Sequence, residues 1–325
     1  MVASPKVHNL AHSPQQERSQ PADRRAGAAW ALAALLLVPF LWGYNWVVMK
    51  RALAYVGPFE LAAWRFVPAG LLLLALLALF ARSRLTRPTW TLAWAGAIQT
   101  GLNTALSLFA LRQGPAGRAA LLCYTMPFWV VVLGWPVLRE RPGRLQALAL
   151  GAAGAGLALV FLGGAGAAGN VRAAALATGS GLAWAVGAVL TRRLLVREQA
   201  DPLGVAAWQM LFGGLGLWAA AALVPGRPAE WSPYLVFAVL YQILPATAVA
   251  WVLWTALLRH VSAGVASLAI LATPLLGLLA SALELRERPR GLEAAGLGLL
   301  VVALALVGPL AVRQARSEGR RGSAG

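Results

Sequence analysis

The feature that most constrains this chain is a succession of long apolar segments separated by short polar gaps. Ten segments of about 20 residues or more occur, at 29–50, 57–80, 89–111, 117–138, 144–163, 172–191, 203–224, 232–258, 262–283 and 291–312. A helix rises about 1.5 Å per residue, so roughly 20 apolar residues cross the hydrocarbon of a bilayer. Lipid offers no hydrogen bonds, and helices satisfy their own backbone groups. The pattern therefore predicts an all-α, polytopic membrane protein with ten transmembrane helices.

Composition agrees with a lipid environment. Of 325 residues, 59% are hydrophobic and 12% are charged, whereas a soluble domain carries about 25% charge. The net charge of +17 would suit nucleic acid. The arginines, however, lie in short gaps between apolar segments and form no continuous basic face. We therefore expect a lipid bilayer as surroundings and no nucleic-acid partner.

The few chemically reactive side chains argue against cofactor chemistry. The chain has one cysteine, Cys123, and three histidines, so neither a disulfide nor a cysteine or histidine metal site is expected. The glycine-rich stretch "GGAGAAGN" at 163–170 lacks the Lys-Ser/Thr ending of a phosphate-binding loop. We therefore expect no cofactor, no metal and no ATP-driven pumping by this chain.

Charge distribution predicts the orientation in the membrane. The ends, residues 1–28 and 313–325, are polar and predicted to be disordered tails. The first apolar segment is longer than the apolar region of a signal peptide, so we expect it to be retained. With the N-terminus inside, eighteen Lys and Arg residues fall in cytoplasmic parts of the chain and nine outside. Because positive loops stay in the cytoplasm, both termini are predicted to be cytoplasmic in a cell (inner) membrane protein.

An internal repeat divides the chain into two units. The sequence "RERP" occurs at 139–142 and again 147 residues later at 286–289, and "LALV" at 157–160 recurs with the same spacing at 304–307. Further upstream the spacing shortens: Pro58 matches Pro202, and Trp42 matches Trp184. We infer two units of five segments, 29–163 and 171–312. Five is odd, so the second unit is predicted to be inverted, which is a common plan of secondary transporters.

The repeated loop has two interpretations. In the favoured one, its arginines reach the headgroups and bond the last carbonyls of the preceding helix, and its proline ends that helix. In the other, the loop contributes a gating salt bridge at one mouth of the transporter.

Arg65 is the most informative polar residue inside an apolar segment, because a charge in a membrane span is costly and is a functional candidate. Glu60 lies five positions earlier, a rotation of about 140°, so the two do not share a helix face. The partner of Arg65 must come from another helix or from a substrate. In one interpretation Arg65 bonds carbonyls of a neighbouring helix and holds the bundle together. In the other it meets the substrate, and its counterpart in the second unit, Gln209, favours that functional role.

Other polar and aromatic residues follow helical spacings. Trp42, Asn45, Trp46 and Met49 form one stripe, and Gln99, Asn103 and Ser107 recur every four residues. Tyr124 lies near Pro127, and Tyr241 and Gln242 lie near Pro245, where proline frees a backbone carbonyl. The predicted substrate-binding residues are therefore Trp42, Asn45, Arg65, Gln99, Asn103, Tyr124, Tyr241 and Gln242, with Pro127 and Pro274 as helix kinks.

Small residues allow close helix packing at one further place. Ala147, Gly151 and Ala155 are spaced by four, which lets helices approach closely. Packing inside the protein is the favoured interpretation, and formation of a homodimer is the alternative.

Several stretches together resemble one transporter family. They are "WGYNWVVMK" at 42–50, the segment from Pro58 to Phe66, the segment from Gly117 to Pro142, and the copy of the latter that ends at Pro289. In this order the chain resembles the EamA-type transporters of the drug/metabolite transporter superfamily. The resemblance implies ten helices in two EamA units, a central cavity opened alternately to either side, and transport of small metabolites such as amino acids.

The leading functional hypothesis is a secondary transporter, without cofactor, that exports a small polar or amphipathic metabolite. A multidrug exporter or a lipid flippase of the same fold is the alternative. An intramembrane enzyme is disfavoured, because it needs paired acids, a histidine dyad or an activated nucleophile. The apolar segments offer only Glu60, Glu284 and Glu293 near their ends.

Overall fold

The computed structural model of the protein describes residues 21–80, 87–113, 122–164, 171–224, 226–276 and 291–321. The α-helices are α1 (Pro21–Ala52), α2 (Pro58–Phe80), α3 (Trp90–Gly96), α4 (Asn103–Gln113), α5 (Met126–Leu138), α6 (Arg144–Gly164), α7 (Val171–Arg197), α8 (Pro202–Leu223), α9 (Pro233–Ile243), α10 (Ala250–His260), α11 (Ala263–Ala269) and α12 (Leu292–Arg321). Two π-helical turns, π1 (Ala97–Leu102) and π2 (Leu244–Val249), join α3 to α4 and α9 to α10 without a break.

The helices begin where short polar side chains cap them. Thr89 accepts a hydrogen bond from the Leu92 N–H, and Asp201, followed by Pro202, accepts from the first N–H groups of α8. Ser232 and Ser262 cap α9 and α11 in the same way. Such caps satisfy N–H groups that have no partner within the helix. The polar gaps of the sequence therefore set where these helices start.

Hydropathy and length identify the helices that can cross a membrane. Within the described residues, five helical spans are long and apolar enough by themselves: Pro58–Phe80, Val171–Arg197, Pro202–Leu223, Pro233–His260 and Ala294–Ala311. Their mean hydropathy lies between 1.4 and 2.3. Shorter apolar helices accompany them, among them Met126–Leu138 and Arg144–Leu159. The chain is thus an all-helical, multi-pass membrane protein over its described parts, while ten inverted spans stay a prediction.

The two π turns occupy equivalent places in the chain. Each residue of π2 lies 147 positions after its counterpart in π1, the same spacing that separates the two "RERP" copies. A π turn contains one extra residue compared with an α-helical turn, is rare, and occurs frequently at functional sites. The repeat therefore includes the two π turns, although the sequences of these turns do not form an obvious repeated motif.

The packing of α6 differs from the sequence expectation. Ala147, Gly151 and Ala155 are exposed, and a Cβ atom added to Gly151 would have no neighbour within 4 Å. Instead, Gly156 lies against α12, where an added Cβ would be 2.8 Å from the Gly296 carbonyl oxygen. The predicted internal packing through Ala147, Gly151 and Ala155 is therefore wrong, because small residues occur on both faces of α6.

The ends of the chain extend the first and last helices. Residues 21–28 and 313–321 belong to α1 and α12, although their composition is typical of tails. Residues 1–20 and 322–325, and the second "RERP" copy at 286–289, lie outside the described residues.

Candidate functional site

A cavity of about 140 Å³ lies around Arg65 and is here called the Arg65 cavity. Residues of α1, α2, α4, α7 and α10 meet there, together with residues at the start of α5. Its polar walls are Asn45, Arg65, Asn103, Thr104, Ser107 and Ser180, and its aromatic walls are Trp42, Phe66, Tyr124, Trp184 and Trp251. Among the residues that the structure describes, no carboxylate lines this cavity.

Arg65 projects from the first half of α2 towards π2. Its Nε donates to the Thr247 hydroxyl at 2.5 Å, and its Nη2 donates to the Ala246 carbonyl at 3.4 Å. The guanidinium carbon lies 4.6 Å from the centre of the Phe66 ring. Within the described residues, no carboxylate pairs with Arg65. The cation is therefore held by neutral groups only, in a place where an unpaired charge costs several kcal/mol.

Four tryptophans pack together beside the cavity and form the tryptophan cluster: Trp42, Trp184, Trp251 and Trp254. Trp42 and Trp184, which correspond in the two units, meet edge to face with ring centres 5.3 Å apart. The first three line the Arg65 cavity, whereas Trp254 is fully buried behind them. This cluster gives the cavity a large, rigid apolar surface.

Asn45 supplies an unsatisfied acceptor. Its side chain is only 6% exposed, and its Oδ1 has no hydrogen-bond partner in the described parts of the chain. A buried acceptor without a partner costs about 1–3 kcal/mol. Because Asn45 lines the Arg65 cavity, an N–H donor on a bound solute would remove that cost.

Asn103 holds α4 against α7 at the cavity wall. Its Nδ2 donates to both the carbonyl and the hydroxyl of Ser180, at 3.0 and 2.8 Å. One turn further along α4, the Ser107 hydroxyl donates to the Thr104 carbonyl at 2.9 Å. These bonds hold polar side chains of the cavity wall in place.

Five of the eight predicted binding residues line the cavity: Trp42, Asn45, Arg65, Asn103 and Tyr124. The other three lie elsewhere. Gln99 is fully buried, and its Oε1 accepts from Thr191 and Gln209, each at 3.1 Å. The Tyr241 hydroxyl donates to the Leu41 carbonyl at 2.9 Å, and Gln242 is buried beside it.

The two prolines predicted as kinks follow helix breaks. A turn at Tyr124 and Thr125 precedes α5, in which Pro127 is the second residue. A turn at Ile270 and Leu271 likewise precedes the helical residues 272–276, which include Pro274. Each proline therefore starts a new helical stretch, a position where its missing N–H costs nothing.

Thr247 and Trp251 are contacts that sequence reasoning missed. The internal repeat could have identified Thr247, because it lies 147 residues after Thr100 and both are the fourth residue of a π turn. Among the residues that the structure describes, no group of three or more His, Cys, Asp or Glu side chains could hold a metal ion.

Polar contacts join the two units at one end of the helices, here called the Glu140 end. Glu140 Oε1 and Arg192 Nε are 3.0 Å apart, and Glu140 Oε2 accepts from the Ala263 N–H at 3.0 Å. Arg192 also donates from Nη1 to the Leu258 and Arg259 carbonyls. The loop of the first "RERP" copy therefore ends α5 and also forms an ion pair with Arg192 of α7.

The opposite end, here called the Glu60 end, is also joined by a carboxylate. Glu60 Oε1 accepts from the Gly226 N–H at 3.2 Å. Arg227 donates to the Ala54 carbonyl at 2.5 Å, and the Glu230 N–H donates to the Tyr55 carbonyl at 2.8 Å. The loops predicted to lie on one side of the membrane therefore meet each other at this end.

The tryptophan cluster separates the Arg65 cavity from the Glu140 end. Along α7, Ser180 lies at the cavity, Trp184 follows one turn later, and Arg192 is eight residues beyond it. Eight residues correspond to about 12 Å of helix. Along α7, the tryptophan cluster therefore lies between the Arg65 cavity and the Glu140 end.

Comparison with known proteins identifies transporters. The model of the EamA-like transporter family matches residues 29–162 and 171–308. The "Uncharacterized transporter YvbV" of Bacillus subtilis is 27% identical over 277 residues, which cover 84% of this chain and 90% of that protein. The "Probable amino-acid metabolite efflux pump" of Salmonella typhimurium is 28% identical over 286 residues, covering 83% and 91%.

A solved structure shares the fold. It is described as "Crystal structure of protein" and superposes with a TM-score of 0.73 at 21% identity, covering 88% of this chain and 98% of that chain. At this identity the likeness concerns the fold alone.

Proposed function

The chain belongs to the EamA-like transporter family, and from that premise we propose that it is a secondary transporter that exports a zwitterionic, amino-acid-like metabolite by alternating access. We further propose that it lies in the inner membrane with both termini in the cytoplasm, as the distribution of Lys and Arg favours. The names of its relatives are those of transporters rather than enzymes.

The observation that carries the proposal is the charge of Arg65 in a cavity without a carboxylate. A guanidinium forms short, strong hydrogen bonds with a carboxylate, often two in parallel. A solute with one carboxylate would therefore stabilise Arg65, whose described partners are the neutral Thr247 and Ala246. A polyanion such as a nucleotide sugar would require several cations, and a cationic drug would require a buried carboxylate.

The remaining walls suit the rest of an amino acid. The free Oδ1 of Asn45 can accept a hydrogen bond from an ammonium group. Trp42 and Phe66 offer an apolar surface for a side chain. The volume of about 140 Å³ is below the roughly 300 Å³ at which drug-sized pockets begin. The named efflux pump of Salmonella typhimurium supports the same substrate class.

The two ends of the molecule suggest how access alternates. The contacts of Glu140 join the first unit to the second at one end, and the contact of Glu60 with Gly226 joins them at the other. The Lys and Arg distribution favours a cytoplasmic position for the Glu140 end. In our proposal, the solute enters when the Glu140 contacts open and leaves when the Glu60 contact opens.

The test is solute counterflow in proteoliposomes. Purified protein is reconstituted, the vesicles are loaded with unlabelled neutral L-amino acids, and uptake of the labelled compounds is measured. Nucleotide sugars and a quaternary ammonium dye are tested in parallel. We expect saturable amino-acid counterflow that is lost in Arg65→Gln, a variant that copies the counterpart Gln209.

One observation favours a second candidate. Four aromatic side chains besides Tyr124 line the cavity, and such walls also suit flat, apolar drugs. Saturable dye transport with no amino-acid counterflow would refute the proposal and assign the chain to multidrug export. Normal amino-acid counterflow in Arg65→Gln would show that the charge does not recognise the solute.

A further inference from the structure

We propose that the π2 turn positions the substrate-binding side chains, with Thr247 as the positioning residue for Arg65. The inference rests on the proposed transport function, because it concerns the same cavity. It assigns a role to a backbone irregularity and to a threonine that does not itself line the cavity.

The first step concerns the backbone of π2. In a regular α-helix, each carbonyl accepts from the N–H four residues later. A π turn contains an extra residue and lengthens these bonds to five residues, and Pro245 within π2 has no N–H to donate. The Ala246 carbonyl of this turn accepts from two side chains of the first unit: Trp42 Nε1 at 2.9 Å and Arg65 Nη2 at 3.4 Å.

The second step concerns the orientation of the guanidinium. Arg65 Nε donates to the Thr247 hydroxyl at 2.5 Å. Two of its three nitrogens therefore face π2. Because the guanidinium is planar and rigid, fixing these two nitrogens also fixes the direction of Nη1. Within the described residues, Nη1 is the nitrogen left for a solute.

The third step is a comparison within the chain. Gln209 corresponds to Arg65 and reaches towards π1, where its Nε2 lies 3.1 Å from Gln99 Oε1. Both units thus send one side chain to the π turn of the other unit. In π1, however, the Thr100 hydroxyl has no hydrogen-bond partner among the described residues, and Gln99 and Gln209 are fully buried. The π turn that receives the cation, π2, is thus the one whose threonine accepts a hydrogen bond from it.

This comparison supplies matched variants. Thr247→Val removes the hydroxyl that accepts from Arg65 and keeps the shape, whereas Thr247→Ser keeps the hydroxyl. Thr100→Val makes the same change at the equivalent position of π1, where the hydroxyl has no hydrogen-bond partner within the described residues. A purely structural role of threonine in π turns would affect both positions alike.

A cysteine in the cavity wall can report the position of the Arg65 charge. Cys123 is the chain's single cysteine and lines the Arg65 cavity. We would measure its modification rate by two methanethiosulfonates, one with an anionic sulfonate and one with a cationic trimethylammonium group. The ratio of the anionic to the cationic rate reports the field of Arg65 at Cys123 and does not depend on knowing the substrate.

In Thr247→Val we expect this ratio to rise at least threefold, because a guanidinium without its acceptor turns towards the water of the cavity. Thr247→Ser and Thr100→Val should keep the wild-type ratio. A ratio that is unchanged or lower in Thr247→Val, or that rises equally in Thr100→Val, would overturn the proposal.

Counterflow of neutral L-amino acids provides the second readout. Thr247→Val should raise the half-saturating concentration at least fivefold with little change in the maximal rate, and Thr247→Ser should restore it. A lower maximal rate with an unchanged half-saturating concentration would contradict a positioning role. If the wild-type protein carries no amino acid, the proposed function fails, and the Cys123 ratio alone decides the role of Thr247.

Discussion

Replacing Glu140 by glutamine should shift the transporter towards the state that is open at the Glu140 end. Glutamine keeps one oxygen, which can accept from Arg192 or from the Ala263 N–H but not from both, so the change removes the charge and one of the two hydrogen bonds. In the closed contact, the Arg192 side chain is 6% exposed and that of Glu140 is 24% exposed. The pair is therefore more shielded from water than a surface ion pair.

The size of the effect follows from this exposure. Removing one partner of a fully buried pair costs about 3–5 kcal/mol, whereas exposed pairs contribute about 0–1 kcal/mol. Arg192 keeps its bonds to the Leu258 and Arg259 carbonyls, which lowers the cost of leaving it unpaired. We therefore expect a loss of about 1.5 kcal/mol, and since about 1.4 kcal/mol is tenfold, a roughly tenfold shift of the equilibrium.

The assay is modification of Cys123 from each side of the membrane. A membrane-impermeant maleimide is added to inverted vesicles, in which the cytoplasmic face is outside, and to intact cells. Glu140→Gln should raise the rate about tenfold in inverted vesicles and lower it in cells. The control is Glu230→Gln, which removes an exposed pair with Arg227 at the other end. Equal rates in Glu140→Gln and wild type, or the same change in Glu230→Gln, would refute a gating role.

Two further predictions concern topology and packing. A reporter fused after Ser83 should report the cytoplasm and one after Ala167 the outer side, and the reverse pair would overturn the predicted orientation. Gly156→Val should lower the thermal midpoint by a change equivalent to about 1–3 kcal/mol, since its new side chain meets the Gly296 carbonyl. Gly151→Val, where space is open, should leave the midpoint unchanged, and equal losses would contradict the described packing of α6 on α12.

The sequence was most informative about residues whose misplacement costs the most free energy. An apolar segment cannot stay in water and a cation cannot face lipid, so the all-helical fold and the place of Arg65 at an internal cavity could be predicted from residue types. Trp42 and Asn45 could also be predicted, because α1 is regular where they lie and their spacing puts both on one face.

The π turns explain why the same reasoning did not extend to Gln99. The spacing of Gln99, Asn103 and Ser107 indicates one face only if the helix is regular between them. In π1 an extra residue intervenes, and one residue corresponds to about 100° of rotation. Asn103 and Ser107, which follow π1, line the cavity, whereas Gln99 within it bonds to Gln209 and Thr191. Tyr241 and Gln242 precede π2 and are not among the residues that line the cavity.

The two π turns receive different side chains from the opposite unit, Arg65 at π2 and Gln209 at π1. This difference has a kinetic consequence. If both units carried the same side chain, a solute would meet equivalent surroundings from either face of the membrane, and the half-saturating concentrations at the two faces would be equal. Here the first unit contributes the cation of Arg65, and the second contributes the buried amide of Gln209. The half-saturating concentrations at the two faces should therefore differ. The maximal rates must differ in proportion, because a carrier cannot alter the final equilibrium of the solute that it moves.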